Sequence, residues 1–154
     1  MLNTTSIFIR FHGEFEDEIK AFYESLAVID KYSAGRETFL TFIKENKKHK
    51  DMVLRTYREV ITDALEAAFP LRNLNESDYE IKTKLMEDMS FQDVIKIAIE
   101  IEEKSYKYCR DAGESTSGLL ADIPQAFEWV AKRKKIRIRK LEDLIARELA
   151  LHLA

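Results

Sequence analysis

Residues 127–141 read FEWVAKRKKIRIRKL, and this stretch constrains the fold more than any other. At about 100° per residue, Phe127, Val130, Ala131, Ile138, Leu141 and Ile145 fall on one side of a helix, with Lys134 in the middle of that side. A helix so striped must bury the stripe against other elements. A lysine on it needs an anionic partner or a path for its ammonium to reach water.

Three further stretches have matching periodicity. Phe8, Phe11, Phe15, Ile19, Phe22, Leu26 and Ile29 set a helical rhythm over residues 6–32 that continues through Gly13. After a break at Ser33, Ala34 and Gly35, a second helix is marked by Phe39, Phe42, Ile43, Asn46, Val53, Tyr57, Val60, Ile61 and Ala64 and ends before Pro70. Residues 71–89 carry Asn, Ser and Asp punctuation with a weak helical patch at 79–85, and read as a crossover connection. Ser90 is the expected N-cap of a third helix, with Val94, Ile97, Ala98, Ile101, Ser105, Tyr108 and Ala112 inward, Glu102 beside them and Gly113 as its stop. A loop over 114–122 leads to the fourth helix, capped by Asp122 with Pro124 in its first turn.

Long helices joined by short, long and short connections predict an all-α four-helix bundle, with a ferritin-like crossover between the second and third helices, as a single domain over 1–154. A weak internal repeat agrees. A shift of 86 positions pairs Glu16 with Glu102 and Phe22 with Tyr108, and a shift of 88 pairs Phe39 with Phe127, Asn46 with Lys134 and His49 with Arg137.

Composition narrows the function classes. The 154 residues are 45% hydrophobic and 34% charged, which suits one soluble domain with a real core. A net charge of −3 gives no global reason to expect nucleic acid or an anionic membrane as partner. No stretch reaches the ~20 apolar residues of a spanning helix, and none resembles a signal peptide. The single Cys109 excludes an internal disulfide framework and any Cys-x-x-Cys site, and fits a reducing cytoplasm. With only four glycines there is no phosphate-cradling loop.

Two segments, FEDEIKAFYESLA at 15–27 and AIEIEEKSYKYCRDAG at 98–113, resemble the first and third helices of rubrerythrin-type, ferritin-like di-iron proteins. In each, an inward Glu precedes an aromatic position by six residues. The pattern's second aromatic, at the seventh, is Tyr23 in one and is replaced by Cys109 in the other. FLTFIKENKKHKDMV at 39–53 and FEWVAKRKKIRIRKL resemble the second and fourth helices, which carry Glu-x-x-His in that family. The resemblance covers most of residues 14–145 and places the six family ligands at Glu16, Asn46, His49, Glu102, Lys134 and Arg137. Three match and three depart. A working site of this type holds two iron or manganese ions with four carboxylates and two imidazoles. Here Asn46 and Lys134 stand where carboxylates would, and Arg137 stands where an imidazole would.

Glu16 and Glu102 would balance Lys134 and Arg137 without metal, so the expectation is a salt-bridged core to which Asn46 and His49 add hydrogen bonds. The function this implies is a non-catalytic binding or oligomerisation module, with a homodimer as the partner arrangement and no cofactor. The alternative is an oxidoreductase acting on peroxide or dioxygen through a rearranged or single-metal site built from Glu16, His49 and Glu102. The chain lacks the cysteine-rich rubredoxin-like domain that many rubrerythrins carry.

Other residues receive plainer expectations. Glu45 and His49 share a helical face as a surface pair, though Glu45 could stand in for a missing carboxylate. His12, four residues before Glu16, could approach the same region but is expected at the solvent or the core edge, Cys109 as a core filler, and Trp129 with Ile136 over the bundle edge or a subunit contact. The basic run from Lys132 to Lys140 reads as a solvated face paired with Glu100, Glu102 and Glu103 rather than a nucleic-acid surface.

Overall fold

Thr4 opens the first helix by accepting a hydrogen bond from the Ile7 amide at 3.2 Å. The computed structural model describes residues 1–60, 72–118 and 121–153. Among these the long helices are α1 (Thr5–Ala27), α2 (Arg36–Val60), α3 (Phe91–Ser115) and α4 (Asp122–Leu153), with short 3-10 segments at Asp30–Gly35, kinked at Tyr32, and Glu76–Tyr79. The architecture is all-α. The expected end of the second helix, with Ile61, Ala64 and Pro70, lies outside the described residues.

The element ends depart from the periodicity in four places, each for a local reason. First, α1 stops at Ala27 rather than near residue 32, because Ile29 is extended (φ −95°, ψ 117°) and the Arg36 side chain donates to the Ala27 carbonyl at 2.8 Å. The expected break at 33–35 belongs to the 3-10 turn that follows. Gly35 is needed there, because a β-carbon would come within 2.6 Å of the Phe39 ring. Second, residues 80–86 are not helical. The Tyr79 hydroxyl donates to Asp111 at 2.6 Å and pins the segment against α3.

Third, α3 begins as expected, with a full capping box between Ser90 and Asp93, but it runs through Gly113 to Ser115. Its end is secured by Thr116, whose hydroxyl donates to the Ala112 carbonyl at 2.8 Å. Gly113 instead faces α4, with space for a β-carbon 3.5 Å from the Phe127 β-carbon. Fourth, Asp122 is the first residue of α4 rather than its cap, since the Gln125 amide bonds the Ala121 carbonyl. Its carboxylate still complements the helix N-terminus.

Helix α1 packs on α2 and α3 on α4, while α2 also meets α4 and α1 meets α3. The cross-contacts run in opposite senses. Phe8 of α1 reaches Tyr108 and Tyr23 reaches Glu102, while Phe42 of α2 reaches Arg137 and Glu45 reaches Arg133. Each neighbouring pair is therefore antiparallel, and α2 and α3 run the same way. Residues 72–89 lie beside α3. Ser115 donates to the Arg72 carbonyl, Lys104 to that of Asp78, and Tyr32 to that of Met89. Leu2 and Leu74 exchange two backbone hydrogen bonds of 2.9 Å at the far end.

The core has aromatic clusters on either side of a polar layer. Phe11, Phe15, Tyr79, Tyr108 and Phe127 form one cluster, and Phe22, Tyr23, Phe39 and Phe42 form the other. Charged groups between them lie in a low-dielectric setting, where pairing is strong and an unpaired group is costly.

Candidate functional site

Helical spacing brings the polar layer together. His12 and Glu16 lie one turn apart on α1, Asn46 and His49 on α2, and Lys134 and Arg137 on α4, with Glu102 from α3. All seven are buried, Lys134 at 0% exposure and Arg137 at 1%. Lys134 Nζ lies 3.0 and 3.1 Å from the two oxygens of Glu16 and 3.4 Å from Glu102 Oε1. The ammonium bridges both carboxylates.

Arg137 completes the layer on the other side. Its Nη1 donates to Glu102 Oε2 at 3.1 Å and to Asn46 Oδ1 at 3.2 Å, and its Nη2 donates to the Phe42 carbonyl at 2.7 Å. The guanidinium lies 4.5 Å from the Phe42 ring centroid, a cation–π contact in a site shielded from water. Asn46 links the two halves, donating from Nδ2 to Glu16 Oε2 at 2.6 Å while accepting from Arg137. Tyr23 donates to Glu102 Oε2 at 2.9 Å.

The titration behaviour follows from these contacts. Burial pushes the Glu16 carboxyl up, but Lys134 and the neighbouring imidazoles of His12 and His49 outweigh it and hold it well below the carboxylate range. His49 is lowered because burial disfavours its cation, more than Glu16 at 3.6 Å favours it. Burial and the neighbouring Glu102 push the Tyr23 hydroxyl well above its ordinary value, which keeps it a donor. For Arg137, burial acts against the charge, but Glu102, Glu16 and Glu45 more than restore it.

Two expectations are corrected here. His12 is not at the solvent or core edge: it is 1% exposed, with Nε2 3.3 Å from Glu16 Oε1 and its ring between Tyr108 and Phe127. Neither of its ring nitrogens makes an aligned hydrogen bond among the described residues. Glu45 does not pair with His49 at the surface. With its side chain 18% exposed, it takes Arg133 at 2.9 Å and Arg137 Nε at 3.4 Å, while His49 turns to Glu16. Glu45 thus extends the layer toward solvent.

The basic run divides by helical face. Lys134 and Arg137 go inward and Arg133 reaches Glu45, so the partners are Glu16, Glu45 and Glu102. Glu100 and Glu103 are exposed and, among the described residues, pair with none of the run. Trp129, 47% exposed, covers the bundle edge by standing edge-on to His49 at 5.7 Å. Cys109 is buried and free, its thiol pushed far up by burial.

The donor set does not fit a two-metal centre. The ammonium of Lys134 sits where a metal would contact both carboxylates, and each nitrogen of Arg137 is a donor with no lone pair to offer. Among the described residues, no group of three or more His, Cys, Asp or Glu side chains is placed to hold a metal ion. No helix among them is long and apolar enough to cross a membrane.

From sequence, Tyr23 is not placed in this layer, and His12 and Glu45 are placed there only as second choices. Tyr23 and His12 had a signal, since they lie seven after and four before Glu16 and share its face. Comparison with family models, with curated proteins and with solved structures finds no match for the chain.

Proposed function

We propose that this chain is a ferritin-like bundle of rubrerythrin type in which buried ion pairs take the place of a di-iron site, and that it serves as a non-catalytic binding or oligomerisation module, self-associating as a homodimer. One observation carries the proposal: the Lys134 ammonium lies within 3.4 Å of both Glu16 and Glu102 at the centre of the bundle. Two carboxylates facing two cations leave the centre neutral, the condition that two divalent ions would meet against four carboxylates. The course of residues 72–89 beside α3 supports ferritin-like connectivity, because that fold also needs a long second connection.

The competing reading is a rearranged iron or manganese site with redox activity. It would rest on Glu16, His49 and Glu102, of which His49 comes within 3.6 Å of Glu16. Lys134, already bonded to that carboxylate, weighs against it. Elemental analysis of protein purified without added metal, with a peroxide-consumption assay, separates the two. The module predicts no stoichiometric metal and no turnover; a stoichiometric transition metal would overturn it.

A further inference from the structure

The same basic run leaves a second cationic surface on the outside of α4, away from the charged layer. Lys132, Lys135 and Arg139 fall on one outward line, and Arg110 of α3 faces them across a groove of about 430 Å³. That volume suits a small ligand rather than a protein surface. Ala131 and Ile136, with the Tyr106 ring, give it apolar wall. Lys135 Nζ is held 4.4 Å above the Tyr106 centroid, so its charge lies over the groove rather than free in solvent.

The charge balance is one-sided. Glu128 is the one carboxylate on the wall, and Arg110 already pairs with it at 3.9 Å. Among the described residues no carboxylate pairs with Lys132, Lys135 or Arg139. In a chain of net charge −3, this concentrates uncompensated positive charge in one concave place.

We infer that this groove binds a small, multiply charged phosphate compound, of the di- and triphosphate class, with phosphate oxygens on Lys132, Lys135 and Arg139. Guanidinium and ammonium groups in a row suit successive phosphates better than one carboxylate, because each phosphate brings its own charge and acceptor oxygens. A short groove with apolar wall favours a compact ligand over a polymer. The inference is independent of whether the interior holds metal.

Calorimetric titration of the intact chain with inorganic tripolyphosphate at low salt tests it. The expected result is saturable one-to-one binding, tighter than for orthophosphate, that weakens about tenfold or more as salt is raised to physiological levels. Adenosine triphosphate in a parallel titration identifies the source: tighter binding than tripolyphosphate means the apolar wall takes the nucleoside, and equal binding means the phosphate chain alone is read. The variant Lys132→Glu/Arg139→Glu changes two exposed side chains, and its circular dichroism and melting temperature should match the parent while its affinity falls at least tenfold. Absence of saturable binding overturns the inference, as does unchanged affinity in the folded variant. Tighter binding of a single-stranded oligonucleotide than of tripolyphosphate also overturns it and assigns the groove to nucleic acid.

Discussion

At the scale of single residues, Lys134 decides how the interior is held together. Removing its ammonium by Lys134→Met leaves Glu16 and Glu102 facing each other, and a broken buried pair costs about 3–5 kcal/mol. Urea denaturation should show that loss, and adding Glu16→Gln should recover part of it by removing the stranded charge. A loss below about 0.5 kcal/mol, the range of an ordinary surface substitution, would mean the ammonium is not paired. His49 adds a pH dependence. Its folded pKa is lowered, so the unfolded chain takes up a proton that the folded chain resists. Its contribution is fully present above the ordinary histidine value near ~6.5 and is lost as pH falls below it, by at most about 1.4 kcal/mol per pH unit. Glu16 is lowered too, and its contribution is lost only in stronger acid, as pH falls through its depressed value. Stability curves between pH 7.5 and 5 should therefore be flatter in His49→Gln than in the parent; parallel curves would remove His49 from the account. Periodicity is enough to find Lys134 and Asn46, because both lie on inward stripes; Arg137 comes only from the resemblance, since periodicity gives Ile138 the inward place that Arg137 takes. Glu45 is one residue off that stripe, and only the reach of Arg137 Nε brings it in. His12 lies on the inward face of α1, but a polar residue on an apolar face gives no sign of whether it is satisfied.

At the scale of elements, hydrophobic spacing locates the helices and says little about where they stop. The end of α1 depends on an arginine nine residues on, and the path of residues 72–89 on single hydrogen bonds from α3 side chains, neither of which leaves a periodic trace. Ser90 is the exception, because a capping box is written in local sequence. The glycines show the same division. Gly35 and Gly113 both read as breaks, yet the space around them differs. A β-carbon at Gly35 meets the buried Phe39 ring at 2.6 Å, so Gly35→Ala should cost about 1–3 kcal/mol through the shift it forces. At Gly113, inside α3, the added carbon meets ordinary contacts at 3.5 Å, so Gly113→Ala should be neutral or stabilising by about 0.5–1 kcal/mol through helix propensity. Thermal melts of the two variants should move in opposite directions or, at minimum, separate clearly. Equal destabilisation would mean that α3 and α4 approach more closely at Gly113 than this geometry allows.

At the scale of the molecule, charge balance links fold and function. Four helices can enclose a polar layer only if that layer is close to neutral, and Glu16, Glu102, Lys134 and Arg137 meet the condition from within the chain. The proposed relationship to metal-binding bundles then has a consequence that does not depend on finding any relative. Changing Asn46→Glu, Lys134→Glu and Arg137→His together removes both cations and adds two carboxylates at positions already aimed at the centre. The metal-free variant should be far less stable than the parent, since four buried carboxylates repel one another and lack counter-charge. Divalent manganese should reverse the loss, because a ligand that binds only the folded state stabilises it by mass action, about 2.7 kcal/mol at a concentration one hundred times its Kd. Melting curves of parent and variant, with and without manganese and followed by circular dichroism, read this directly. The parent curve should stay in place while the variant curve rises with metal concentration. A variant indifferent to manganese would mean that the helices do not hold these side chains in a metal-binding geometry, and that the resemblance stops at the level of a four-helix bundle.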